Sequence, residues 1–143
     1  MGKMNRFLTV FIVFSGNVAD ADPEKTLASF GDLVFQSHNV VKNTEINEFV
    51  TNKKVYTNWY FVIYDDELID ETVKEALPTF AMQCTGYDYV SAYKVARDGK
   101  KMISPRMFKS YVTLPEGGGL LPDKFEKEKN ETCLNGWVRD RVK

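Results

Sequence analysis

The sequence predicts a single α/β domain: a mixed sheet flanked by helices, with an antiparallel hairpin in its C-terminal half. Three observations lead there. Two apolar runs rich in β-formers, Phe7 to Phe14 and Trp59 to Tyr64, carry no alternating polarity, as strands covered on both faces require. Each is followed by a helix-start signal, at Asp22-Pro23-Glu24 and at Asp70. Further on, Asp98-Gly99 supplies the positive φ values of a tight hairpin turn. A chain of 143 residues with 43% apolar and 27% charged residues has material for one core, and its net charge of −1 gives no general attraction to nucleic acid or an anionic membrane. No membrane or nucleic-acid partner is therefore expected.

The first strand is expected over Phe7 to Phe14. The same stretch, preceded by Lys3 and Arg6 and followed by Ala19-Asp20-Ala21, has the outline of a signal peptide, and Asn130-Glu131-Thr132 is a glycosylation sequon. The run is short for that role and its Phe, Val, Ile and Thr content favours a buried strand. Two cysteines, Cys84 and Cys133, make neither a disulfide scaffold nor a zinc site, so a reduced, cytoplasmic protein is the expectation. Asp22 accepts from free amides, Pro23 suits the first helical position, and Leu27, Phe30, Leu33 and Val34 recur at helical spacing, with Gly31 either weakening the middle of the helix or marking its C-terminal end. A second strand is expected from Val34-Phe35, with Val40-Val41 as further candidates for it, then a helical face of Ile46, Phe49 and Val50. Trp59 to Tyr64 is read as the middle of the sheet. Asp70 opens a helix with Val73, Ala76, Leu77, Phe80 and Ala81 on one face, which Pro78 is expected to kink or shorten. Tyr89 to Arg97 and Lys101 to Ile103 pair as antiparallel strands, Ser104-Pro105-Arg106 interrupts the second, and Tyr111 to Leu114 adds another. Gly117-Gly118-Gly119 is a connector without the Lys-Ser/Thr of a phosphate loop, and Lys124 to Glu131 a charged, solvated helix.

Chemistry concentrates at Asp65-Asp66-Glu67, directly after the central strand, where an open α/β sheet places its ligand crevice. Alternation sets Asp65 and Glu67 on one side and Asp66 on the other, so either Asp66 or the other two face a cation. The plainer alternative is that these acids end a strand and start a helix. His38 has no nucleophile or carboxylate beside it in sequence and is read as a surface or turn histidine. Tyrosines interleaved with Lys94, Arg97, Lys100, Lys101, Arg106 and Lys109 have the composition of a single-strand nucleic-acid platform, but sheets favour tyrosine and sheet edges favour lysine.

The order of these pieces, from the opening strand and turn through the acidic strand end to Asp98-Gly99 and Ile103-Ser104-Pro105-Arg106-Met107-Phe108, resembles a reduced, Rossmann-like nucleotide-diphospho-sugar transferase domain of the GT-A type. The resemblance spans roughly residues 7 to 114. It implies metal-dependent nucleotide-sugar binding or glycosyl transfer. Mg²⁺ or Mn²⁺ is then held by Asp65 and Asp66, with Glu67 an assisting ligand or ribose contact. Asn17 and Asp20 contact the base or ribose, and Arg106 contacts the pyrophosphate. Asp66 and Asp20 are the candidate catalytic carboxylates. The partner implied is a nucleoside diphosphate or nucleotide sugar. Domains of that type also carry a C-terminal acceptor-binding half, which this length is not expected to hold. A non-catalytic interaction protein with a shortened transferase-like fold, of viral accessory kind and with a protein partner, is the alternative.

Overall fold

The computed structural model describes residues 7–16, 18–19, 21–83, 89–95, 100–114 and 131–140. Strand β1 (Leu8–Val13) leads to helix α1 (Pro23–Ala28), a 3-10 turn over Gly31–Leu33 and strand β2 (Val34–Val40). Helix α2 (Asn43–Thr51), β3 (Trp59–Tyr64), β4 (Glu67–Ile69) and α3 (Glu71–Gln83) follow, then β5 (Tyr89–Val95), β6 (Lys101–Lys109) and β7 (Glu131–Asp140). The strands form one seven-stranded mixed sheet in the order β2-β1-β3-β6-β5-β7-β4. The expected α/β class with an antiparallel hairpin, β5 against β6, is what the chain adopts. Among the described residues no helix is long and apolar enough to cross a membrane.

The two apolar runs are the parallel centre of the fold. β1 pairs parallel with β2 on one side and β3 on the other, and every residue of β1 is buried. Leu8, Val10, Ile12, Phe61 and Ile63 face Phe30 and Leu33 from the α1 side and Val73 and Leu77 of α3. Phe11, Val13, Tyr60 and Val62 face Ile46 and Val50 of α2. Helices on both faces are the reason these strands lack polar alternation.

The helix starts follow the chemistry of their sequences. The Asp22 carboxylate accepts the Lys25 N–H at 3.1 Å with Pro23 in the first turn, and α1 ends before Gly31, whose φ of +63° favours glycine. Glu45 reaches back to accept the N–H groups of Val41 and Lys42 ahead of α2. Asp70 accepts the Val73 N–H at 3.1 Å ahead of α3.

Several expectations are corrected. The second strand extends unbroken from Val34 to Val40, through residues the sequence did not assign to it; this middle, Gln36-Ser37-His38-Asn39, is polar because β2 lies at the sheet edge with one face open to water. Pro78 stands inside α3 without ending it. β6 runs through Ser104-Pro105-Arg106, because its pairing steps from Val90↔Met107 to Ser91↔Pro105, and the extra residue at that bulge relaxes the ladder beside the proline. Tyr111 to Leu114 adds no strand; its backbone is held by side chains instead, with Leu114 bonded in both directions to the Asn47 amide and Val112 C=O accepting from the Tyr60 hydroxyl. Glu131 opens a strand rather than closing a helix. The hairpin turn at Asp98-Gly99, the triple glycine, Cys84 and residues 124–130 lie outside the described residues.

Candidate functional site

β1 lies between β2 and β3, so the chain leaves β1 towards one side of the sheet and later crosses to the other. In such a sheet the loops at the carboxyl ends of the strands diverge and leave a crevice. A concavity of about 260 Å³ lies there, lined by Ile12 and Phe14 of the β1 end, Asn39 and Val41 of the β2 end, Pro23 of α1, and Asp65. A second of about 110 Å³ shares Ile12, Pro23 and Asn39 with it. Phe14 keeps 48% of its surface exposed and Val41 62%, so the mouth is apolar.

Asp65 ties this end of the sheet together. Its N–H donates to Val13 C=O at 3.0 Å, prolonging the β1–β3 register by one residue, and its C=O accepts the Asp22 N–H at 2.8 Å. Its carboxylate Oδ1 accepts the Ser15 N–H at 3.1 Å. The buried Thr26 hydroxyl donates to Glu67 C=O at 2.7 Å and lies 3.3 Å from Asp65 C=O, fastening α1 to the same turn. Asp65 is thus buried where it borders the concavity, while Asp66 at the turn is half-buried.

Glu67 and Arg106 serve a different purpose from the one expected of them. Both are essentially fully buried, and the guanidinium grips the carboxylate through two bonds, Nη1 to Oε1 at 2.6 Å and Nη2 to Oε2 at 2.8 Å. Oε1 also accepts the Tyr64 N–H at 2.8 Å. Arg106 Nε donates to the Ser104 hydroxyl, Nη1 contacts Val62 C=O at 3.3 Å, and the guanidinium carbon stands 5.6 Å from the centre of the Tyr64 ring. The arrangement has a backbone cause. β3 pairs with β6 only at Trp59↔Lys109, Tyr60↔Phe108 and Phe61↔Met107, and at Arg106 the bulge turns β6 away. Side-chain bonds to Val62 C=O and Tyr64 N–H take over where the ladder stops. Glu67 is therefore not an assisting metal ligand or ribose contact, since both of its oxygens are committed, and Arg106 is not a pyrophosphate partner, since its fork is spent inside the fold.

Among the described residues no group of three or more His, Cys, Asp or Glu side chains gathers in a metal-holding arrangement. Asp65 lines the crevice and Asp66 follows it at the turn between β3 and β4; Asn17 and Asp20 lie outside the described residues. Asn39, Phe14 and Val41 are crevice residues that the sequence reading missed. The signal was their position directly after, or at the end of, β1 and β2, the two parallel strands that precede the one bearing the acids.

His38 is half-buried on β2, its ring 4.2 Å from the centre of Phe49 and 5.5 Å from that of Phe11, with Nε2 2.9 Å from Gln36 Nε2. Loss of hydration there holds its pKa below the ordinary 6.5. The unfolded chain binds this proton more readily, so the stability His38 contributes is complete above pH 6.5 and is lost as the pH falls through the lowered folded value. The melting temperature of the parent is expected to drop on acidification just below pH 6.5, and His38→Phe, which keeps the ring stack, should remove that part of the drop. Parallel melting curves for the two proteins across this window would contradict it.

No family model and no curated protein matches the chain. Among solved structures the chain is similar to that of A197 from STIV, a viral protein, with a TM-score of 0.56 over 94% of this chain and 82% of that one at 12% sequence identity. At that identity the likeness shows a shared α/β fold.

Proposed function

We propose that the crevice at the carboxyl ends of β1, β2 and β3 binds a nucleoside diphosphate or nucleotide sugar together with Mg²⁺ or Mn²⁺, in the manner of the GT-A type domains that the sequence resembles. The observation that carries this reading is the placement of Asp65, a residue that lines a concavity at the point where the sheet changes winding direction. Asp65 and Asp66 hold the cation. Two carboxylates suffice, because Mg²⁺ is commonly bound by one or two of them plus waters and substrate phosphates. The half-exposed ring of Phe14 offers a face on which a base stacks, and the Asn39 amide offers it a donor and an acceptor. A bound cation supplies charge neutralisation for a departing diphosphate, which is the electrostatic demand of glycosyl transfer.

The test is a set of thermal melts with a panel of nucleoside diphosphates, with and without Mn²⁺, on the parent and on Asp65→Asn combined with Asp66→Asn. Asparagine keeps an oxygen to accept the Ser15 N–H, so the substitution chiefly removes charge. At a ligand concentration of roughly 100 times Kd the parent should gain about 2.7 kcal/mol, only with nucleotide and metal together, and the variant should not. A panel that shifts nothing under any condition would favour the non-catalytic interaction protein.

A further inference from the structure

We propose that the Gln36 amide is a latch on the turn between α2 and β3, and that a proton taken up by His38 opens it. Gln36 Oε1 accepts the Tyr56 N–H at 2.9 Å and the Thr9 hydroxyl at 2.9 Å, and its Nε2 donates to Lys54 C=O at 2.8 Å. Two backbone groups of the turn, one a donor and one an acceptor, therefore fix which end of the amide is oxygen. The second N–H of Nε2 is left for His38 Nε2, 2.9 Å away. That ring nitrogen must accept, so the imidazole at neutral pH is uncharged and carries its proton on Nδ1.

A proton on Nε2 reverses the contact, because two donors then face each other. The amide can turn its oxygen to the ring only by setting Nε2 against the Tyr56 N–H and Oε1 against Lys54 C=O. Both bonds to the turn are lost in that exchange. The ring is packed against Phe11 of β1, with centres 5.5 Å apart, and Phe49 of α2, at 4.2 Å, so its retreat would cost those contacts. Lys53 closes α2 at φ +56°, the left-handed region that glycine favours, so the turn gains backbone freedom when it is released.

No neighbouring charge replaces this chemistry. Apart from His38 itself, β1 and β2 carry no ionisable side chain. The ionisable groups on the other elements around the ring are Glu45 and Glu48 of α2, Lys53, Lys54 and Tyr56 of the turn, and Tyr60 of β3. The Glu45 carboxylate is taken by the Val41 and Lys42 N–H groups, and the Tyr60 hydroxyl by Val112 C=O. The others are exposed, and Glu24 of α1 lies on the opposite face of the sheet. Among the described residues none of them pairs with the imidazole, and burial alone lowers its pKa.

The latch stands at the amino end of β3, away from the crevice, and draws nothing from the nucleotide reading. Two measurements on the full chain test it. His38 is the only histidine, so ¹⁵N shifts of a single ring report the tautomer. The proton is expected on Nδ1 at about pH 8, and a proton on Nε2 there overturns the proposal. Amide hydrogen exchange, corrected for the intrinsic rate at each pH, then follows the Tyr56 N–H down to about pH 5, a range in which histidine is the side chain that ordinarily changes charge. Protection of Tyr56 should fall about tenfold, the worth of one pKa unit of preference for the released turn, while Phe61 in β3 keeps its own. In His38→Phe the Tyr56 protection should not change with pH. Circular dichroism checks that this variant folds; if it does not, Tyr56 against Phe61 in the parent decides. Constant Tyr56 protection in the parent, a loss shared equally by Phe61, or the same loss in folded His38→Phe overturns the proposal.

Discussion

Arg106→Met is expected to lower the unfolding free energy by about 3–5 kcal/mol, measured by urea denaturation at neutral pH. Nearly all of that cost comes from what is left behind. Glu67 is 0% exposed, and removal of the guanidinium strands its carboxylate with only the Tyr64 N–H among the bonds described above, while Val62 C=O loses its donor. Adding Glu67→Gln should restore a large part of the loss, because the amide is neutral and its oxygen still accepts from Tyr64. A single variant within about 1 kcal/mol of the parent would show that the pair does not hold β3 and β6 together where their ladder parts.

Phe61→Ala is the second large effect, about 3–5 kcal/mol by the same measurement. Phe61 is fully buried, is in register with Val10 on β1 and Met107 on β6, and meets the Phe30 ring edge to face at 5.2 Å. Covered on its face and flanked by two strands, the position cannot collapse around a smaller side chain, so the lost transfer energy and the cavity both count. Tyr56→Ser, at a ring 68% exposed, should stay within about 0.5 kcal/mol and serves as the control. Equal effects of the two substitutions would mean that the core is not where these strands place it.

The parts of the fold legible in the sequence were those decided by local chemistry. Continuous apolar strands announced β1 and β3, and Asp22-Pro23 and Asp70 announced the helices, because burial on two faces and free amides at a helix start each demand particular residue types. What depends on distant partners was not legible. β4 exists because Glu67–Ile69 pairs with Val138–Asp140, and the polar middle of β2 is a strand because β1 supplies its ladder. In the site, Asp65 was found by its place after the central strand. The Glu67–Arg106 pair was not, as the partners lie 39 residues apart. A sequence signal did exist: Arg106 sits among Ile103, Met107 and Phe108, and an arginine embedded in an apolar strand needs a buried acid.

The most direct measurement of the central claim is paramagnetic broadening of backbone amide signals by Mn²⁺, with and without a nucleoside diphosphate. The account predicts that, once nucleotide is present, broadening concentrates at Ser15, Gly16, Asp65 and Asp66 and weakens in the Asp65→Asn, Asp66→Asn variant. Broadening centred instead on exposed acids such as Glu71 and Glu75 of α3, or unaffected by the nucleotide, would contradict it.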